Sequence, residues 1–157
     1  MLISNGDGTF QRTDYPVDGY PAYIAIADFN GDGILDLAVA DESGTLSYAL
    51  IFLGNGDGAF TPGTAVENNA IGFELFAADF NNDGKADLAS SNTLGDDVLM
   101  LLGNGDATFT ESALLGGPVP IGGYTAARLH GQESGKGGLD IILTNGSKLL
   151  VLISLAQ

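Results

Sequence analysis

The sequence predicts an all-β protein made of repeated antiparallel units. Its apolar runs are of strand length, as in Leu149–Ile153, and Gly, Asp and Asn residues bound them. Runs this short between turn-forming residues favour strands over helices. The chain also has 24 glycines, no cysteine and no tryptophan, a composition that suits a protein with many tight turns.

An Asn-Gly-Asp signature followed by a phenylalanine recurs along the chain. It ends at Phe10, Phe60 and Phe109, which are spaced by 50 and 49 residues. This period is the length expected of a four-stranded propeller blade, and Asn-Gly and Asp-Gly are strong hairpin signals because both residues tolerate positive φ. The sequence therefore predicts a single domain, a β-propeller-like array of three four-stranded antiparallel blades. The predicted blades span approximately residues 18–67, 68–115 and 116–157.

Each blade is assigned strands A to D in chain order. Because antiparallel strands alternate in direction, the A-to-B and C-to-D connections should emerge on one face of the array. Strand D is predicted at Phe10–Tyr15, Phe60–Val66 and Phe109–Leu115, and the three phenylalanines are predicted to be core residues. No strand D follows the last strand C, so residues 1–17 are predicted to complete the third blade, in cis or in trans.

Two nine-residue segments, Asp28–Asp36 and Asp79–Asp87, share the pattern D-x-N-x-D-G-x-x-D and start 51 residues apart. Oxygen-bearing side chains at positions 1, 3, 5 and 9, a backbone carbonyl at position 7 and a glycine at position 6 suit a hard cation that takes six or more oxygen ligands. We therefore predict two Ca²⁺ sites. The predicted ligands are Asp28, Asn30, Asp32, Ile34 (carbonyl) and Asp36 in the first, and Asp79, Asn81, Asp83, Lys85 (carbonyl) and Asp87 in the second.

The two segments differ from an EF-hand, which needs a bidentate Glu at position 12 and a helix on each side. Position 12 is Val39 in the first segment and Ser90 in the second, and the flanks are strand-like. The alternative is an ordinary Asp/Asn/Gly turn without a metal. Two loops with the same oxygen positions, each with three carboxylates that repel one another when bare, favour calcium.

The segment "IAIADFNGDGILDLAVA" followed by "IFLGNGDGAF" resembles the FG-GAP (VCBS-type) repeats of secreted bacterial proteins and of integrin α-subunit propellers. The resemblance covers nearly the whole chain, and the family's calcium positions match the first two units residue by residue. It implies calcium binding and a secreted or cell-surface location. In the third unit Arg128 stands where the first metal carboxylate is expected, so that unit is predicted to hold no metal.

The net charge of −15 excludes some partners. Nucleic acid and anionic membranes both require a basic surface. A membrane span is not predicted either, because it needs an apolar run of about 18 residues, and Leu149–Ile153 is only of strand length.

The favoured function is a non-catalytic, calcium-stabilised extracellular binding or adhesion module. Strand complementation would assemble it into a homo-oligomer, either a ring or a filament. The alternatives are a carbohydrate-binding lectin and a propeller-type polysaccharide-degrading enzyme. Catalysis is disfavoured because the chain has no cysteine, and His130 is its single histidine.

A protein or glycan ligand is predicted to bind on the face opposite the acidic loops, since loops on a rigid scaffold commonly carry recognition. Tyr20, Phe73 and Tyr124 lie in or near the connections on that face, together with the loop 116–123. The alternative is that these aromatic residues only fill gaps between blades.

Overall fold

A computed structural model describes residues 1–42, 47–68, 71–72, 74–91, 97–116, 121–127, 140–145 and 148–152. The regular structure in these ranges consists of thirteen β-strands in antiparallel sheets, so the predicted all-β class is confirmed. Within the same ranges, no helix is long and apolar enough to cross a membrane.

Two short strands form an N-terminal hairpin, and the next four form the first blade. The hairpin pairs β1 (Leu2–Ser4) with β2 (Phe10–Arg12). The first blade has the order β3-β4-β5-β6, with neighbours along the chain paired throughout. Its strands are β3 (Pro21–Ala27), β4 (Asp36–Glu42), β5 (Ser47–Gly54) and β6 (Phe60–Glu67).

The second blade repeats this up-and-down order, and a third sheet follows with three described strands. The second blade consists of β7 (Leu75–Ala78), β8 (Asp87–Ser91), β9 (Asp97–Gly103) and β10 (Phe109–Gly116). The third sheet consists of β11 (Ile121–Ala127), β12 (Asp140–Asn145) and β13 (Lys148–Leu152). Strands A to C therefore occur in all three units.

The strand register is the same in the three units. In the first blade Ala27 pairs with Asp36 at the edge of the nine-residue loop, and Ala78 with Asp87 and Ala127 with Asp140 are the corresponding pairs. The next strand follows the same rule, since Leu37 pairs with Phe52, Leu88 with Leu101 and Ile141 with Leu152. Equivalent residues can therefore be compared between units.

The core lies between the first and second blades. Small residues of the first blade, among them Ala25, Ala38 and Ala49, are buried in one cluster with larger residues of the second blade, among them Leu75 and Leu99. Because side chains alternate between the two faces of a strand, each blade presents one face to its neighbour. An alanine-rich face therefore packs against a leucine-rich face.

The prediction for the N-terminal strand D was wrong in two respects. The strand ends at Arg12 and not at Tyr15, and Phe10 is 58% exposed and not a core residue. Tyr15 instead packs edge-on against Phe52 and Phe60, with ring centroids 6.0 and 6.1 Å apart, and its hydroxyl accepts a hydrogen bond from the Phe60 amide at 3.0 Å. The chain leaves the hairpin because this ring packs on the first blade.

Other predictions about strands and loops have mixed outcomes. Phe109 packs against the core cluster, and Phe60 is partly buried. The predicted loop 116–123 was too long, since Gly116 belongs to β10 and Ile121 begins β11. Phe73, Arg128 and His130 lie outside the described residues, so the predictions about them stay untested.

Gly54 lies where two backbone segments approach closely, and a substitution there should destabilise the fold. A Cβ atom at Gly54 would lie 2.2 Å from the Leu35 carbonyl oxygen. We expect Gly54→Ala to lower the free energy of unfolding by about 1–3 kcal/mol, because backbone would have to move. The shift in urea denaturation midpoint measures this. Gly63→Ala is the matched control in the neighbouring strand, where the nearest atom is 3.1 Å away, and equal losses for the two variants would contradict the prediction.

Candidate metal centres

The first residue of the first loop organises the turn that follows it. The Asp28 carboxylate accepts hydrogen bonds from the amides of Gly31 at 2.7 Å, Asp32 at 3.2 Å and Gly33 at 2.8 Å. A carboxylate has about four acceptor sites on its two oxygens. Three amides therefore hold the backbone around one side chain and leave acceptor capacity on it.

The third and fifth residues continue the same arrangement. Asn30 Oδ1 accepts from the Asp32 amide at 3.0 Å, and Asp32 Oδ1 accepts from the Ile34 amide at 2.8 Å. The Asn30 side-chain amide also donates to Asp32 Oδ2 at 2.9 Å. Asn30 Oδ1 and Asp32 Oδ1 each accept from the backbone amide two residues further on, which is the Asx-turn geometry that short acidic and amide side chains favour.

The second loop repeats these contacts. Asp79 accepts from the amides of Asp83 at 3.1 Å and Gly84 at 2.9 Å. Asn81 Oδ1 accepts from the Asp83 amide at 2.9 Å, and Asp83 Oδ1 accepts from the Lys85 amide at 2.9 Å. Two loops separated by 51 residues therefore fold in the same way, as their shared pattern predicts.

Positions 4 and 6 of both loops have positive φ. Gly31 and Gly33 have φ values of 77° and 84°, and their counterparts Asn82 and Gly84 have 62° and 86°. Glycine and asparagine are the residues that adopt this conformation at least cost. The positive φ at position 4 was not predicted from the sequence, although a Gly or Asn at that position indicates it.

The ninth residue is buried and joins the loop to the next strand. Asp36 is 0% exposed. Its Oδ2 accepts from the Phe29 amide at 2.9 Å, and its Oδ1 accepts from the Gly54 amide at 2.8 Å. Asp36 was predicted only as a metal ligand, but in this structure it also ties the start of the loop to the end of β5.

Asp87 has the same role in the second blade. It is 0% exposed, and it accepts from the Phe80 amide and from the Gly103 amide, both at 2.8 Å. Burial raises the pKa of Asp87 above its ordinary value, and the nearby Asp83 carboxylate adds to this. The backbone amides that donate to Asp87 oppose the rise, because they favour the ionised form.

The nine-residue loops and the Asn-Gly-Asp turns lie side by side, as predicted from strand direction. In the first blade, a Cβ atom at Gly56 would lie 3.5 Å from Ile34. In the second blade, a Cβ atom at Gly105 would lie 3.3 Å from the Lys85 side chain. Position 7 of each loop therefore packs over the neighbouring turn of its own blade.

The first loop also contacts the second blade. The Phe29 carbonyl accepts a hydrogen bond from the Ala107 amide at 2.9 Å, and the Phe29 and Phe109 rings pack edge-on with centroids 5.7 Å apart. Thr64 Oγ1 donates to the Ala107 carbonyl at 2.9 Å. Ala107 is 4% exposed and has a φ of 63°. The turn of one blade is thereby fixed to the loop of the other.

The oxygen-bearing residues of each loop fit a hard divalent cation, but their side chains do not yet surround a common point. Each loop offers two carboxylates and one side-chain amide oxygen on its turn and a third carboxylate at position 9, and such oxygens are the ligands that Ca²⁺ takes. Within the described parts of the chain, no three Asp, Glu or His side chains already surround one point. The fit therefore depends on the ligand types and on the preformed loop backbone.

The family comparison matches the region that contains both loops. Residues 28–90 match the family model described as an FG-GAP-like repeat. This part of the chain is therefore of the FG-GAP repeat type. The matched region runs from Asp28 to Ser90 and includes the strands between the two loops. A comparison with curated proteins found no match.

The residues predicted for ligand recognition are only partly described. Tyr20 is 77% exposed, which agrees with a place on an accessible surface. Tyr124 lies in β11 and not in a loop, and Phe73 lies outside the described ranges. The prediction that these three aromatic residues share a recognition surface therefore stays untested.

The raised pKa of Asp87 predicts how the metal-free protein responds to acid. A buried carboxyl with a raised pKa takes up its proton in the folded state before it does in the unfolded state, so its contribution favours folding at low pH and is lost as pH rises through the folded pKa. In EDTA, wild type should therefore gain stability relative to Asp87→Asn, which cannot titrate, as the pH falls from about 7 to about 4. Urea denaturation of both proteins across this range measures the difference. A difference that does not change with pH would contradict the prediction.

Proposed function

We propose that this FG-GAP repeat protein is a non-catalytic, calcium-stabilised extracellular binding or adhesion module. The observation that carries the proposal is the repetition of one loop geometry, with the same carboxylate-to-amide contacts, in Asp28–Asp36 and Asp79–Asp87. FG-GAP repeats are typically extracellular, and calcium is abundant there. The proposal makes calcium a structural ion in both loops.

The residues proposed to hold the ion already shape the loop. Asp28 and Asp32 keep acceptor sites beyond those that the amides fill, and a bound ion would use these oxygens with Asn30 and the Ile34 carbonyl. The ion would also reduce the repulsion among carboxylates in a chain whose net charge is −15. Binding to the folded state alone then stabilises that state.

Calcium should raise the stability of the intact protein. For each site, stabilisation reaches about 2.7 kcal/mol when free calcium is a hundred times the dissociation constant. Melting temperatures measured in excess calcium and in EDTA test this, and we expect the calcium value to be clearly higher. Equal melting temperatures would refute calcium stabilisation.

Single substitutions should remove one ion each. We expect isothermal titration calorimetry to give two sites for wild type and one site for Asp32→Ala or Asp83→Ala, since each variant lacks the ligand at position 5 of one loop. Asp57→Ala is the matched control: it also removes one exposed carboxylate, from a turn in which Asp57 Oδ1 accepts only the Ala59 amide. Loss of an ion in the control, or two ions in either loop variant, would contradict the assignment.

The absence of catalysis is proposed from the reactive residues that the sequence provides. The chain has no cysteine, so a Cys–His pair is excluded, and a Ser–His pair would have to use His130, its single histidine. The alternative functions are distinguished by direct assays. Binding on a glycan array would favour a lectin, and turnover of a polysaccharide would favour an enzyme.

Self-assembly by strand complementation belongs to the same proposal. β2 is an edge strand of a two-stranded hairpin, and β13 is an edge strand of a sheet with three described strands. Each presents backbone groups that another strand can pair with. In this proposal, β2 of one copy pairs with β13 of another copy.

A proline in β2 should block this pairing. Met1 and Thr13 exchange backbone hydrogen bonds, so the next pair, Leu2 and Arg12, is a non-hydrogen-bonded pair whose amides point away from the partner strand. Arg12→Pro would therefore remove a donor from the free edge of β2. We expect light scattering of the intact chain in calcium to show oligomers that Arg12→Pro lacks and that Arg12→Ala retains. A monomeric wild type, or unchanged assembly of the proline variant, would contradict strand complementation.

A further inference from the structure

The first blade has an apolar face that the rest of the described chain covers only in part. Ile24 and Ile26 on β3 are 55% and 58% exposed. They line a groove of about 340 Å³ together with Leu37, Val39 and Phe52 of the adjoining strands. Two isoleucines of a strand interior rarely stay this exposed without a partner, because each contributes to an apolar patch.

Two of the equivalent positions of the second blade are fully buried, and a third, Ala77, is half-buried. In the shared register, Ile24 corresponds to Leu75 and Leu37 corresponds to Leu88. Leu75 is 1% exposed and Leu88 is 0% exposed. The same face is therefore an interface in one blade and a groove in the other.

The second blade shows what kind of surface covers this face. Leu75 and Leu88 are buried in one cluster with Ala25, Ala38 and Ile51 of the first blade. Those three residues are aligned across β3, β4 and β5, since Ala25 pairs with Ala38 and Ala38 with Ile51. The partner surface is the opposite face of a neighbouring blade.

The N-terminal hairpin occupies the outer part of the same face. Its pair Leu2–Arg12 matches the pair Phe52–Pro62 in the register of the outer strands of a blade. The Ile3 side chain lies 2.6 Å from the position that a Cβ atom at Gly58 would occupy. The hairpin therefore occupies the position that the two outer strands of another blade would take against the first blade. The groove lies where the two inner strands of that blade would pack.

We propose that this groove binds the third sheet of a second copy of this chain. In the third sheet Thr125 pairs with Ile142 and Ile142 with Val151. These three residues hold the register positions that Ala25, Ala38 and Ile51 hold in the first blade. The interface between the first and second blades would then be repeated between copies.

This docking deepens the self-assembly part of the proposed function by naming the surface that is buried. The two surfaces differ, so the contact is heterologous and forms a ring if the rotation closes and a filament if it does not. It places β11 and β12 of one copy where two inner strands would pack, beside β1 of the next copy. It requires neither loop to bind an ion.

The first test adds one negative charge to the groove. Ile24 is exposed in the single chain, so Ile24→Glu should fold, as circular dichroism and the melting temperature will verify. We expect association to weaken roughly tenfold or more in analytical ultracentrifugation, because a buried isoleucine is replaced by a charge. Thr61→Glu is the matched control, since Thr61 is exposed on the outer strand β6 and the change in net charge is the same.

Cysteine cross-linking tests which surfaces meet. The chain has no cysteine, so Ile24→Cys and Thr125→Cys each introduce a single thiol. With a short bis-maleimide, we expect a cross-linked dimer only when the two variants are mixed, and no dimer when either is mixed with the control Thr61→Cys. Cross-linking of Ile24→Cys with itself would overturn the proposal in favour of a symmetric dimer. An absence of cross-linking in the mixture would also overturn it.

The outcomes separate this inference from the proposed function. A wild-type monomer that calcium still stabilises would overturn the docking and the strand complementation, and would leave the calcium sites supported. An oligomer that Ile24→Glu weakens, in a protein with equal melting temperatures in calcium and in EDTA, would support the docking and contradict the calcium sites. An oligomer that Ile24→Glu and Thr61→Glu weaken equally would overturn the docking, since charge alone would then explain the loss.

Discussion

The fold depends on one buried carboxylate in each of the first two blades. Asp36 and Asp87 stand at the start of strand B and accept amides from the start of the loop and from a glycine in strand C. A buried carboxylate is costly unless hydrogen bonds satisfy it. The amides that donate to each carboxylate come from separate segments of the chain. These hydrogen bonds therefore hold the loop against strands B and C. The glycine is required because its backbone passes close to the preceding loop.

The acidic loops also connect neighbouring blades. The first loop supplies the Phe29 carbonyl to the Ala107 amide of the second blade, next to the cluster that the alanine-rich and leucine-rich faces form. In a repeat protein each unit contacts only its neighbours, and stability is a sum of unit and interface contributions. The loops therefore affect the interface between blades as well as their own hairpins.

The same repetition explains why the first blade has an incomplete interface. Its inner strands carry apolar residues on both faces, as strands between two neighbours do. One face meets the second blade, and the other is covered only where Ile3 and Tyr15 pack. The exposed Ile24 and Ile26 are thus apolar residues of the kind that lie between two blades, and the described chain covers them only in part.

The sequence by itself predicted most of the strands and their order, because turn residues, alternation and the period are local signals. It also located the loop carboxylates. Tertiary structure decided the rest. Asp36 joins its loop to β5 because Gly54 comes close to it. Phe10 is 58% exposed, whereas the equivalent Phe109 packs against Phe29 of the neighbouring blade. Ile24 is exposed and Leu75 is buried, although the two residues hold equivalent register positions. Residues in equivalent sequence positions have different burial because burial depends on which surface packs opposite them, and that surface is distant in the sequence.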